Sequence, residues 1–409
     1  MICKKLLASP LLAAVVTLVV RLLAHHYAHY IRLPYQFGLT TSKSGAETWK
    51  EAVFWKQNFG FVPAFLTTVG PWFIEYIPPA PSEAYVLVLC LCDALTAYFV
   101  SQWPSAKPKL IYTLFSLNPV MVFLPMLESL APIEYMLLAL ILECCRRRRV
   151  HAVCLYVARL LAPLLGFHFI AIIIALWFPV GTTCPKVAIA SSVLCAACIG
   201  SFGLLYLRWW GDHMEQTSLY SPPDNGVMWY VRLLIMAAFH CSMEVGQIQL
   251  PAVLTLIFTT GVPPEREVAA VTMKRGGSIP GDRRLLVVLL AVCISKLFCQ
   301  HVILADYLVT MLFLYSLLEV DGVGGVKPMF DRVLEINVFL PILTLLLVMP
   351  LQYSFYTGWV MWDTANPNWV FFPQIAFVTV GGIFLLTFIN AVVDAIKEET
   401  TAGEKVKED

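Results

Sequence analysis

The chain has 409 residues, 59% hydrophobic and 13% charged, with 28 Lys and Arg against 27 Asp and Glu, and a mean hydropathy of +0.75. Soluble domains carry roughly 25% charged residues, so these charges cannot cover an aqueous surface and the outward solvent must be lipid. A net charge of +1 offers no basic surface for nucleic acid. Backbone in lipid must satisfy its own hydrogen bonds as helices or as a closed barrel. The Leu-rich runs are unbroken rather than alternating with period two, which predicts an all-α polytopic membrane helix bundle.

The opening MICKKLLASPLLAAVVTLVVRLLAHH pairs Lys4 and Lys5 with an apolar stretch, as a secretory signal does. That stretch is long, holds Arg21 and lacks a small-x-small cleavage site, which predicts a retained first span, near 6–24. Residues 25–83 mix Pro, aromatic and polar groups and read as a luminal loop with interfacial helices, anchored by Trp49, Trp55 and Trp72. His25, His26 and His29 fall in the same interfacial stretch.

Further spans are expected near 84–102, 110–127, 131–145, 152–163, 164–180, 187–207, 245–261, 285–301, 303–319, 332–351 and 369–396. The total is about 10–12, because the pair flanking Pro163 reads as one kinked helix, two part-spans or a re-entrant hairpin. Residues 1–396 therefore read as a single membrane-embedded domain and 397–409 as a short cytoplasmic tail. Lys107 and Lys109, the run Arg146, Arg147, Arg148 and Arg149, and the basic loop at 262–284 assign their side to the cytoplasm. The four arginines act as a topology determinant or hold anionic lipid head groups. No Asn-x-Ser/Thr sequon marks the luminal side.

Enzyme signatures are missing: no phosphate-cradling Gly loop, no HExxH and no GxSxG occurs. Cys195 and Cys198 form a CxxC inside an apolar run, without a second pair or a nearby His, so helix packing is their expected role and neither metal nor cofactor is expected. Two luminal loops differ from plain connectors, RWWGDHMEQTSLYSPPDNGVMWY at 208–230 and LQYSFYTGWVMWDTANPNWVFF at 351–372. Each joins paired Trp residues to Asn beside Pro or Gly. Trp prefers the headgroup level, and Asn amides can bind phosphates and sugar hydroxyls, although Asn-Pro and Asn-Gly also build turns. Asp93 and Asp306 lie in apolar stretches; such acids face a bundle interior or a polar cavity and are functional candidates, the alternative being a buried hydrogen bond to a Thr or Tyr, such as Thr96 or Tyr307 nearby.

At these loops the sequence resembles the phosphatidylinositol-glycan class U (PIG-U) family, a subunit of the GPI transamidase. SPPDNGVMWY is similar to that family's Pro-Asn-Ile-Gly-Leu-Phe-Trp-Tyr stretch, and WDTANPNWVFF to its Gly-Ser-Ala-Asn-Ser-Asn-Phe-Phe segment. CDALTAYF at 92–99 resembles its Asp-Ala-Leu-Thr-Ala run, FSLNPVMV at 115–122 its Leu-Leu-Asn-Pro-Tyr motif, and KLFCQHVILADYLVTM at 296–311 its Lys-Ser-Tyr-Pro…Gly-Asp-Val-Ala-Leu-Tyr-Met segment. The motifs keep the family order. Pro223 and Asp224 are inserted in the first, Pro367 separates the two Asn of the second, and the loop at 262–284 has no counterpart.

The resemblance implies a fold related to the GT-C glycosyltransferases and a non-catalytic role in the endoplasmic reticulum membrane. There the chain would hold the GPI lipid beside a separate caspase-like catalytic chain and other transamidase subunits. It implies that Asn366 and Asn368, with Trp362 and Trp369, contact the GPI headgroup, with Asn225 and Asn118 as further contacts. The alternative is a GT-C-type mannosyltransferase using a dolichol-linked sugar. That chemistry needs a carboxylate in the first luminal loop, where Glu47, Glu51 and Glu75, with Glu83 at its end, are the acids and no two are adjacent. A transporter would show internal repeats, and none is found.

Overall fold

A computed structural model describes residues 9–27, 46–60, 82–103, 106–147, 152–165, 169–177, 283–297, 302–317, 351, 353–364, 366 and 368–376, with single residues at 193, 252, 379, 382 and 383. Among the described residues every regular element is helical and none is a strand. The expected spans at 187–207, 245–261, 332–351 and most of 369–396 lie outside the described residues, as do Asn225, Cys195 and Cys198.

Among the described residues, two helices are long and apolar enough to cross a membrane. The first is α1 (Pro10–Tyr27), and α2 (Ala46–Phe59) follows in the expected interfacial region. The second is α3 (Ser82–Ser101), through its stretch Ala84–Ser101. A third span would be formed by α4 (Pro108–Ile111), its π-helical continuation Tyr112–Ser116 and α5 (Pro119–Met126), which meet at a bend of 46°. Then come α6 (Ala131–Arg147), α7 (Ala152–Leu161) with a 3-10 turn Ala162–Leu165, α8 (Ile170–Trp177), α9 (Arg283–Leu297) and α10 (Leu304–Leu317). The chain around Pro163 thus forms two short helices. Arg159 on the first reaches the end of the second, where its Nε donates to the Leu176 carbonyl (3.1 Å) and its guanidinium lies 4.7 Å from the Trp177 ring. A C-terminal carbonyl of α8 thereby gains a donor the helix itself cannot supply.

The outer helices are amphipathic in the sense inverse to that of soluble proteins. On α1 the residues at a spacing of four that turn inward are Ala13, Thr17 and Arg21, while Leu11, Val15, Val19, Leu22 and Leu23 are exposed. On α3, Leu87, Val88, Leu91 and Leu95 form the exposed stripe, and Asp93 and Thr96 are buried with Leu89 and Ala97. Helical spacing puts each set on one face. A soluble protein would not expose such stripes, whereas a helix facing lipid must. By contrast α6, α8 and α9 are buried along their lengths, as expected of helices that are apolar all round. They form the core with α10, whose Phe313 meets Trp103 edge-on at 5.3 Å between ring centroids.

The bend between α4 and α5 follows from the sequence Leu-Asn-Pro. Pro119 has no N–H to give the Phe115 carbonyl, and the Val120 N–H is taken by Asn118 Oδ1 (3.0 Å). The Phe115 and Ser116 carbonyls are thus left without helical donors in the interior, which sets the requirement that the site must meet.

The exposed stripes generate a direct test. Leu91→Arg on the outward face of α3 is expected to raise the cost of inserting this segment by about 2.5–3.5 kcal/mol, whereas Leu91→Ile leaves it unchanged. An insertion assay with glycosylation acceptor sites engineered on either side of α3 would read the difference; equal insertion of both variants would contradict a lipid-facing stripe.

Candidate functional site: the buried charge clusters and the aromatic segment

Both acids singled out in the sequence are buried and engaged, Asp306 by a Tyr hydroxyl as one expected alternative had it, and each also by a cation from another helix. Asp93 pairs with Arg21: Arg21 Nε donates to Asp93 Oδ2 at 2.7 Å, with both side chains inaccessible to solvent. Thr96 instead donates to the Cys92 carbonyl (2.9 Å). The other two ends of the guanidinium fill the gap left by Pro119, one donating to Ser116 O (2.8 Å) and the other to Phe115 O (2.9 Å). A planar guanidinium suits this work because its donors diverge in a fixed fork. Thr17 adds a fourth tie, donating to Ala13 O and bonding Ser116 Oγ, each at 2.8 Å.

Asp306 is held by groups of three elements. Its Oδ1 accepts from Lys296 Nζ (2.6 Å) and from the Tyr135 hydroxyl (2.9 Å), and its Oδ2 from the Ile303 N–H (2.8 Å). Lys296 Nζ also contacts the Glu134 carboxylate and lies 5.1 Å from the Tyr135 ring and 5.4 Å from the Phe169 ring. An ammonium between two carboxylates and two aromatic faces is compensated by charge and by ring quadrupoles. This cluster joins α6, α9 and α10 to the residue preceding α8. Asp93 also lies within electrostatic reach of the Tyr135 hydroxyl, so the two clusters adjoin through α6.

A third cluster sits at the end of α6. The buried Glu143 carboxylate accepts from Arg146 at 2.7 and 2.8 Å, from Arg147 Nε, and from the Trp103 indole at 3.0 Å, while Arg147 also donates to Gln102 (2.9 Å). Arg147 and Glu143 therefore fasten α6 to the residues just past the end of α3, and Arg146 holds the Glu143 carboxylate from within α6. Among the described residues, no three His, Cys, Asp or Glu side chains are grouped to hold a metal.

The proposed headgroup residues fall in two places. Asn118 caps α5: its Oδ1 accepts the Val120 N–H and its Nδ2 donates to Thr113 O (3.4 Å). Asn366 repeats the device, its Oδ1 accepting the Asn368 N–H (3.0 Å) and its carbonyl the Trp369 N–H (3.1 Å) at the start of helix 368–376. Both Asn residues precede Pro in the sequence, and an Asn N-cap followed by Pro is a strong helix-start combination.

Ahead of Asn366, residues 353–356 lead into a π-helical turn Thr357–Met361. Thr364 closes that turn on the Gly358 carbonyl with its N–H (2.9 Å) and hydroxyl (3.1 Å). The closure leaves Asp363 at φ 50°, a left-handed conformation that Asp tolerates better than most residues. Val370 packs against Phe355, Tyr356, Trp359 and Phe371, and the Trp369 ring meets Phe355 edge-on at 5.2 Å. Trp362 and Trp369 nevertheless remain 68% and 54% exposed. The structure thus gathers Trp362, Asn366, Asn368 and Trp369 in one short segment and puts Asn118 at the helix break.

Arg21, Glu134, Tyr135, Glu143 and Lys296 were not singled out as site residues in the sequence. The available signal was charge counting: each acid inside an apolar run demands a cation, and Arg21 and Lys296 lie inside such runs.

A double-mutant cycle separates the two jobs of Arg21. Arg21→Leu is expected to destabilise by about 3–5 kcal/mol, because it leaves a buried carboxylate unpaired. Adding Asp93→Leu should recover only part of this, since the Phe115 and Ser116 carbonyls still lack donors, at about 1–3 kcal/mol each. Thermal unfolding in detergent measures it; full recovery in the double variant would show that the ion pair alone matters.

No protein-family model matches the chain, and no curated protein matches it.

Proposed function

We propose that the chain is a non-catalytic, multi-spanning subunit of a GPI transamidase, with about 10–12 spans in the endoplasmic reticulum membrane. In this reading it binds the GPI lipid and presents it to a caspase-like catalytic chain. The observation that carries the reading is the order of the PIG-U-like motifs from residue 92 onward. Three of those motifs supply Asp93, then Phe115 and Ser116, then Lys296 and Asp306, all of which take part in the buried polar contacts, and the second also supplies the helix cap Asn118. The exposed Trp362 and Trp369 beside Asn366 and Asn368 suit a headgroup contact at the membrane surface. Holding the lipid's terminal amine beside an acyl-enzyme thioester would lower the barrier by positioning, an effect worth up to roughly 7–11 kcal/mol in well-oriented cases.

The capping role of Asn366 decides the form of the test. Asn366→Ser keeps a capping oxygen and removes the amide, and Asn368→Ala removes the second amide. In cells lacking the endogenous subunit, the double variant is expected to assemble with its partners but lose surface display of a GPI-anchored reporter. Display at wild-type level with intact assembly would overturn the site. Co-purification of a caspase-like hydrolase under mild detergent is the matching expectation for the whole reading.

One observation favours the mannosyltransferase alternative: Glu47 and Glu51 are four residues apart on one helix, α2. Under that reading Glu47→Gln and Glu51→Gln abolish sugar transfer from a dolichol-linked donor. Under the transamidase reading reporter display persists in both variants.

A further inference from the structure

The hydrogen bonds around Asp93 can be accounted for donor by donor, and one acceptor is left over. Asp93 is fully buried, its Oδ2 accepts from Arg21 Nε, and among the described residues none donates to its Oδ1. The usual remedy, a bidentate pairing of carboxylate with guanidinium, does not operate here because the two terminal nitrogens of Arg21 serve the Ser116 and Phe115 carbonyls.

The nearby hydroxyls are committed as well. Thr96 gives its proton to the Cys92 carbonyl and Thr17 to the Ala13 carbonyl, so Ser116 is the donor in its bond with Thr17. A buried carboxylate oxygen with no donor is strongly unfavourable. Charge does not call for a cation, because Arg21 already balances Asp93. Along α3 the residues one turn before and after Asp93 are Leu89, Cys90, Thr96 and Ala97, all buried.

We infer that Asp93 Oδ1 is a binding site for one neutral O–H donor held between α1 and α3, either an ordered water or a hydroxyl group of a lipid. Water is the common satisfier of buried polar groups, and in the membrane interior a lipid hydroxyl offers the same chemistry.

Infrared difference spectroscopy on the full chain in phosphatidylcholine nanodiscs tests this. The wild type is compared with Asp93→Asn, and also with Asp93→Glu, whose added methylene takes the donor's space while keeping the charge for Arg21. The expected result is an ionised carboxylate signal for Asp93 together with one O–H stretch that both variants lose. If that stretch moves in H₂¹⁸O, the donor is water. If it is unmoved by H₂¹⁸O but appears only when the nanodiscs contain sterol, the donor is a lipid hydroxyl. A protonated-carboxyl band from Asp93, or the absence, both with and without sterol in the nanodiscs, of any O–H stretch dependent on residue 93, would overturn the inference, and the wild-type carboxyl region provides the first of these outcomes even where neither variant folds.

Discussion

The interaction on which the described bundle depends is the fan of donors from Arg21. A span interrupted by Leu-Asn-Pro exposes two backbone carbonyls in a region where water cannot serve them, and each would be costly to leave unmade. One guanidinium, supplied from the first helix, closes both and spends its remaining Nε on Asp93 of α3. The break, the first span and the second span are therefore one unit: α1 cannot rotate without unmaking all three bonds. Thr17, one turn earlier on the same face, repeats the contact with Ser116, which fixes the height of α1 as well as its rotation.

The second cluster does for the later helices what Arg21 does for the early ones. Lys296 and Asp306 are only ten residues apart, but their partners Glu134 and Tyr135 come from α6, more than 150 residues earlier in the chain. An apolar interior alone would allow α9 and α10 to slide along α6, because dispersion between Leu, Ile and Val side chains is non-directional. Pairs of buried charge discriminate against such slips, since any shift strands an ion. Glu143 and its arginines act at the other end of α6, so this central helix is pinned at both ends and packed by apolar contacts between them.

Much of this organisation is legible in the sequence, within definite limits. The helical class and the positions of α1, α3 and α6 follow from run length and from the absence of period-two alternation, α1 lying three to four residues further along than expected. That Asp93 and Asp306 turn inward follows from the cost of charge in lipid. Their partners do not follow, because the local candidates Thr96 and Tyr307 are close in sequence while Arg21 and Lys296 are selected by helix packing, which single-chain periodicity does not encode. Arg21 in particular carries two messages in the sequence, a poor signal-peptide core and a buried cation, and only the packing of α1 on α3 distinguishes them. The Asn-Pro pairs were ambiguous between turn and ligand. The geometry gives both Asn118 and Asn366 the capping role through the same Oδ1 contact two residues on.

That result bears on where a lipid headgroup can be held. The intramembrane carboxylates are committed to cations from other helices, so they are poor partners for an incoming ligand without breaking the packing they maintain. Asn118 is committed to the helix break, and the break is itself tied to Arg21. The segment from 353 to 376 is different in kind: its apolar side is anchored by Val370 against Phe355 and Trp359, while Trp362, Asn366 and Trp369 remain exposed. A rigid base with exposed indoles and amides combines the two requirements of a headgroup site, fixed geometry and access. Among the described residues, the motif residues in the helices fix the buried contacts of the bundle, and the short aromatic segment is the part that presents indoles and Asn side chains together at an exposed surface.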